Sequence, residues 1–169
     1  MTLKTPATTM ILFAACALAA IAAPVNAPLS AQEAKGPYWA ALRYDETNMR
    51  VGPSREYPID WVYRRKGLPV QVLRSRDEWD LVVDPDGTKG WISGSQLTRS
   101  RFVLVVGEEP VALREEPQAE SEMQWRAEPG VIAKLLRCRE GWCEIENEGR
   151  AGWVEAGRLW GDEELVKEP

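Results

Sequence analysis

Not one of the 169 residues is a histidine. Imidazole is the commonest general base, the usual partner of serine and cysteine nucleophiles and the commonest metal ligand. Its absence excludes Ser-His-Asp and Cys-His catalysis anywhere in the chain. A zinc site would have to be built from carboxylates and thiols that lack the usual spacing, so neither metal nor cofactor is expected. Positive charge is scarce as well: 21 basic residues face 26 acidic ones, for a net charge of −5. Such a chain lacks the basic stripe by which proteins grip nucleic acid and the polybasic segment that holds anionic lipid. Carboxylates leave one enzymatic route, glycoside cleavage by a pair of acids with one raised pKa. None of the acids sits in an apolar run that would raise its pKa, and they read as solvated surface charge. No helical periodicity is sustained anywhere.

Long apolar runs are missing apart from one, Met10 to Ala23. Lys4 precedes it, and Pro24 and small residues follow to Ala31. It is too short to span a bilayer, which takes about 20 apolar residues. It has no polar face that would suit a core helix. A basic start, a short apolar stretch and a small-residue end describe a secretory signal peptide, here residues 1–31, with Ala27 as a second cleavage point. Cys16 lies within the apolar run rather than at its end, which argues against lipid attachment. The expectation is export to the periplasm or beyond, with no stable membrane insertion after cleavage. Losing Lys4 and no acid moves the net charge from −5 to −6.

What remains repeats itself at an offset of 62–64 residues. Arg50-Val51-Gly52-Pro53 is echoed by Arg114-Glu115-Glu116-Pro117, and Trp61 by Trp125. Gly67 returns as Gly130 and Trp79 as Trp142. Gly90-Trp91-Ile92 returns as Gly152-Trp153-Val154, and Leu97 as Leu159. A fixed offset kept by Trp, Gly and Pro marks a duplicated folding unit. Within each copy, short runs of Val, Ile, Leu, Trp and Tyr are cut by Gly, Pro and Asp, the pattern of an all-β chain.

In the first copy strands are expected at 40–44, 48–51, 61–63, 68–74, 79–83 and 88–92. In the second they are expected at 103–106, 112–114, 131–138, 142–146 and 152–154. Asp84-Pro85-Asp86-Gly87 should close a hairpin, because Pro pre-sets one φ angle and Gly accepts a positive one. A short helical turn is expected near Ser93–Leu97. Short antiparallel strands joined by tight turns close most economically as small barrels. This gives two units, 38–97 and 103–161, and an acidic tail, 162–169.

Asn48-Met49-Arg50-Val51-Gly52-Pro53-Ser54, Tyr57-Pro58, Gly67-Leu68-Pro69-Val70, Trp79 and Gly90-Trp91-Ile92 together resemble the bacterial SH3-like (SH3b) domain. The resemblance covers Tyr38 to Gly161 and implies an all-β fold of two tandem small SH3-like β-barrels after the signal peptide. The second copy departs where Glu115-Glu116 replace Val51-Gly52, so its opening loop need not bind what the first one binds. The family often supplies cell-wall-targeting modules beside peptidoglycan enzymes.

Tryptophan carries the candidate binding chemistry. The eight indoles exceed what two small cores obviously need, and an apolar ring with a polar handle suits sugars and extended peptides alike. Trp91 and Trp153, each after a glycine, read as core residues closing the barrels. Tyr57 and Trp61, around the loop that follows Arg-Val-Gly-Pro, are the first choice as exposed contacts. Trp79, Trp125 and Trp142 complete the candidate ligand-binding set, with packing as the alternative. Arg50 and Arg114 read as structural, stacking on a Trp or pairing with an acid. Cys138 and Cys143 bracket Arg139–Trp142 and suit a disulfide across a hairpin tip in an oxidising compartment. Closing so small a loop contributes roughly 2 kcal/mol in the chain-entropy model. The spacing is not the C-x-x-C of a redox pair.

The sequence thus describes a non-catalytic exported binding module of the cell envelope, directed at peptidoglycan or its stem peptides. The alternative is a periplasmic adaptor or inhibitor that takes an extended segment of an envelope protein.

Overall fold

Runs of β-branched and aromatic residues cut every few positions by Gly, Pro or Asp cannot hold a helix, and they pair as strands instead. A computed structural model describes residues 37–163. The expected signal peptide, 1–31, and the end of the acidic tail lie outside the described residues. The first half contains β1 (Tyr38–Leu42), β2 (Thr47–Arg50), β3 (Ile59–Tyr63), β4 (Pro69–Arg76), β5 (Trp79–Val83), β6 (Lys89–Ser93) and β7 (Leu97–Thr98). The second contains β8 (Phe102–Val105), β9 (Val111–Arg114), β10 (Met123–Ala127), β11 (Ile132–Arg139), β12 (Trp142–Asn147), β13 (Arg150–Glu155) and β14 (Leu159–Trp160). One 3-10 turn precedes the last strand of each half, at Gly94–Gln96 and Ala156–Arg158.

The strands form two antiparallel sheets, ordered β3-β2-β6-β5-β4-β1-β7 and β10-β9-β13-β12-β11-β8-β14. The second order is the first with each strand number raised by seven, so the repeat in the sequence is a repeat of topology. Two tandem SH3-like units follow. Expected and observed strands agree at 79–83 and mostly shift by one or two residues elsewhere. β10 was not expected: Met123-Gln124-Trp125-Arg126 carries little strand propensity, and pairing with β9 decides its conformation.

Each sheet wraps its own core. Leu42, Met49, Val70, Val72, Val82 and Ile92 fill the first, and Val103, Val105, Val111, Leu113, Ile145 and Val154 fill the second. β8 serves both. Its side chains alternate in direction, so Val103 and Val105 enter the second core while Leu104 joins the first. Val106, Ile132 and Trp160 of the second half also pack on the first core. Trp160 meets Trp39 edge-on, with ring centroids 5.2 Å apart. The Arg65 guanidinium donates to the Gly130 carbonyl across the same seam.

The expected Asp84–Gly87 turn is present, organised by a carboxylate the sequence reading passed over. Asp84 is buried and accepts from the backbone N–H groups of Asp86 and Thr88 at 3.0 and 2.8 Å. Its other oxygen accepts from the Tyr63 hydroxyl at 2.8 Å. Burial, then the hydrogen bond and charge of Asp84, raise the Tyr63 phenol well above its ordinary value. In the unfolded chain the phenol releases its proton near pH 10, while in the fold it keeps it. Stability from this contact is therefore complete below about pH 10 and declines as pH rises beyond it. Alkaline unfolding curves check this: Tyr63→Phe is expected to flatten the decline between about pH 10 and 11.5, at some cost in stability at neutral pH.

Candidate functional site

In the first sheet, β2 ends at Arg50, whose Nη1 donates to the Tyr57 carbonyl at 2.6 Å. That bond, with Val51 N–H donating to the Pro58 carbonyl at 3.3 Å, ties the two ends of the loop between β2 and β3. Arg114 does the same in the second sheet, donating to the Ser121 carbonyl at 2.6 Å. Both arginines close their loops by hydrogen bonds to carbonyls, rather than through the stacking or acid pairing expected of them. The Tyr57 ring lies directly over Gly52: a Cβ there would sit 2.5 Å from Cγ of the ring. The glycine of the Arg-Val-Gly-Pro motif is therefore a seat for Tyr57. Glu116 occupies the matching place in the second copy, and the seat is lost.

Stacking arginines exist, at positions the sequence reading missed. Arg50, Trp91, Leu81 and Arg74 are successive register partners across β2, β6, β5 and β4. The Arg74 guanidinium lies 5.4 Å from the Trp91 ring centre. The second sheet repeats the row as Arg114, Trp153, Glu144 and Arg137. There Arg137 and Arg139 lie 5.2 and 4.8 Å from the Trp153 ring, and Arg137 pairs with Glu144 at 2.7 Å. Trp91 and Trp153 are buried as expected, yet neither belongs to an interior cluster. They lie beneath arginines instead. The signal was available, because Arg74 and Arg137 recur at an offset of 63, within one residue of that of Trp91 and Trp153.

The five candidate aromatics separate into two groups. Tyr57, Trp61 and Trp125 are 46%, 58% and 44% exposed and belong to the hairpins that carry β3 and β10, the terminal strands of their sheets. Val51, Ile59 and Val62 are exposed near Tyr57 and Trp61 in sequence, so the β2–β3 hairpin carries five large exposed apolar side chains. Trp79 and Trp142 are half-buried at the tips of the β4–β5 and β11–β12 hairpins. Trp142 lines a recess of about 160 Å³ with Ala112, Arg114 and Arg158. β9 meets β13 at one register pair, Trp153 with Arg114. Arg150, beside Trp125, and Glu155, opposite Trp142, are the two ends of β13, roughly 16 Å apart at strand rise. The two groups do not form one site.

Cys138 and Cys143 form the expected disulfide across the tip, directly opposite in register with Cα atoms 4.0 Å apart. Glu140 and Gly141 turn the chain with φ of 52° and 81°, the all-positive pair that matches strand twist in a two-residue hairpin. The disulfide borders a second recess, about 320 Å³, lined by Arg101, Leu135, Leu136, Arg137 and Asp162. Burial raises the Asp162 carboxyl above its ordinary value, opposed in part by backbone hydrogen bonds and, to a lesser degree, by the charge of Arg101.

The bacterial SH3 domain family model matches residues 43–98 and again 107–161. The chain belongs to the bacterial SH3 domain family. Both SH3 units contain the Arg-loop closure and the Gly-Trp strand described above. No curated protein matches the chain in sequence. Among solved structures it is similar to NlpC1 from Trichomonas vaginalis, at 14% identity and a TM-score of 0.34, over 74% of this chain and 46% of that one. NlpC2 from the same organism matches at 14% identity and a TM-score of 0.34, over 73% and 48%. The chain spans less than half the length of both. No helix in the described residues is long and apolar enough to cross a membrane.

Proposed function

We propose that this SH3 protein is a non-catalytic, exported binding module that recognises peptidoglycan or its stem peptides through the aromatic hairpin of its first unit. The observation that carries the reading is the cluster of exposed Val51, Tyr57, Ile59 and Trp61 on one hairpin. Large apolar side chains exposed together on a small protein mark a contact surface. A single hairpin, with Tyr57 of its loop seated on Gly52, holds them without a deep cleft, which suits an extended ligand better than a reacting one. Membership in a family that often targets cell walls points to the ligand class.

Pelleting the protein with insoluble peptidoglycan tests this. Trp61→Ala is expected to lower binding at least about tenfold, as for an aromatic anchor at an interface centre. An exposed ring contributes little to folding, so the melting temperature should barely move. No depletion from solution by peptidoglycan would end the wall-binding reading. The adaptor alternative draws on a separate observation: β3 and β10 are terminal strands of their sheets, where an extended partner segment can add. Capture of a defined envelope protein, with no pelleting by peptidoglycan, would favour it.

A further inference from the structure

The two SH3 units can be read against each other, because the same indole occupies the same place in both. Trp61 is paired with Met49 in β2, and Trp125 with Leu113 in β9, residues that correspond in the repeat. Their surroundings differ in one respect. The Arg150 guanidinium lies over the Trp125 ring, 4.8 Å from its centre. Arg150 stands two residues before Gly152-Trp153; the residue two before Gly90-Trp91 is Thr88. A threonine cannot reach across the ring, and no cation lies over Trp61 among the described residues. Trp61 is correspondingly the more exposed, 58% against 44%.

Acids also flank the strand that carries the bare ring. Asp60 precedes it in β3, and Asp60, Asp84 and Asp86 all lie close enough to Tyr63, at the end of that strand, for their charges to act on its phenol. Glu46 is near as well, paired with Arg64 at 3.4 Å. An electron-rich indole face with no cation of its own over it favours a positive group, for which the face of Trp is the best aromatic receptor.

We infer that Trp61 receives a cationic side chain, an ammonium or guanidinium borne by a peptide ligand, in the position that Arg150 fills within the second unit. Arg150 is then an internal stand-in for that ligand, and the second unit is closed to it. The inference rests on the reading that the β2–β3 hairpin is the contact surface, and it specifies which chemical group of a wall peptide the surface selects.

The test uses Nα-acetyl-lysine amide and the same compound acetylated at Nε, followed by the indole N–H resonance of Trp61, which Trp61→Phe identifies. The free amine is expected to shift that resonance, with the Nε-acetylated probe binding about three- to tenfold more weakly. Thr88→Arg should weaken the response by a similar factor. Arg150→Thr should let the Trp125 resonance respond where it did not before. Equal binding of the two probes, or a silent Trp61, overturns the inference. If Thr88→Arg does not fold, Arg150→Thr decides alone, and a Trp125 that stays silent counts against it.

A second arm compares pelleting by native and amine-acetylated peptidoglycan. Loss of binding after acetylation supports the inference. Equal pelleting refutes it and leaves wall binding intact. If neither wall preparation pellets the protein while the lysine probe still moves Trp61, the wall reading falls and the cation site stands.

Discussion

Replacing Trp39 with alanine is expected to cost about 3–5 kcal/mol of stability, the range for truncating a buried indole. The size of the effect comes from the seam between the two SH3 units rather than from either core. In β1, Ala40 and Leu42 face the first interior; alternation turns Trp39 and Ala41 to the opposite face. That face would be exposed if the first unit stood alone, yet Trp39 is 8% exposed and Ala41 fully buried. The cover includes Trp160, from the last strand of the second unit. Denaturant unfolding of the whole chain measures the cost, with Trp61→Ala as the exposed-ring control near zero. A double-mutant cycle with Trp160→Ala should return a coupling of about 0.5–1.5 kcal/mol for the edge-on pair. The wild type should unfold in one transition. A Trp39→Ala cost below about 1 kcal/mol would show that the units do not lean on each other.

The second large effect is expected at the glycine of the two Gly-Trp strands. A Cβ on Gly152 would lie 2.7 Å from the Leu113 Cβ and 3.2 Å from the Arg114 carbonyl oxygen. Both belong to β9, whose approach to β13 closes the second barrel, and neither atom can rotate away. Gly152→Ala should cost about 1–3 kcal/mol, as overpacking does. At Gly90 the obstruction is the Met49 side chain, whose Cγ and Sδ a Cβ would meet. Methionine is flexible and can take another rotamer, although at 0% exposure it has little room. Thermal melts of the two variants should rank Gly152→Ala as the more damaging. Equal melting temperatures to wild type would mean the strands do not need this close approach.

Much of the fold was legible because the information was local. Strand periodicity, the Asp84–Gly87 turn and the opposed cysteines depend on residues within a few positions of each other. The repeat then carried the reading of one unit over to the other. What escaped was set by pairing at a distance. β10 forms because β9 lies beside it. Trp91 and Trp153 are buried by Arg74, Arg137 and Arg139 from a strand two removed, so indoles that looked like core close the outer face instead. Of the five candidate aromatics, exposure separates Tyr57, Trp61 and Trp125 from Trp79 and Trp142, a division no spacing announces. The Val103-Leu104-Val105-Val106 run did hold a signal: an uninterrupted apolar strand is one buried on both faces, and β8 divides its side chains between two cores.

By itself, the sequence determined that the chain is all-β, that it repeats one SH3-like unit twice, that its two late cysteines meet, and that histidine-based catalysis is excluded. Each of these follows from residue identity or from contacts short along the chain. The tertiary structure alone decided which two cores β8 serves and that Trp39 meets Trp160 at the seam. It alone decided that Arg150 covers Trp125 while Trp61 stands bare. Those outcomes depend on which surfaces the folded strands bring together, and contact between elements distant along the chain leaves no periodic trace in the sequence that creates it.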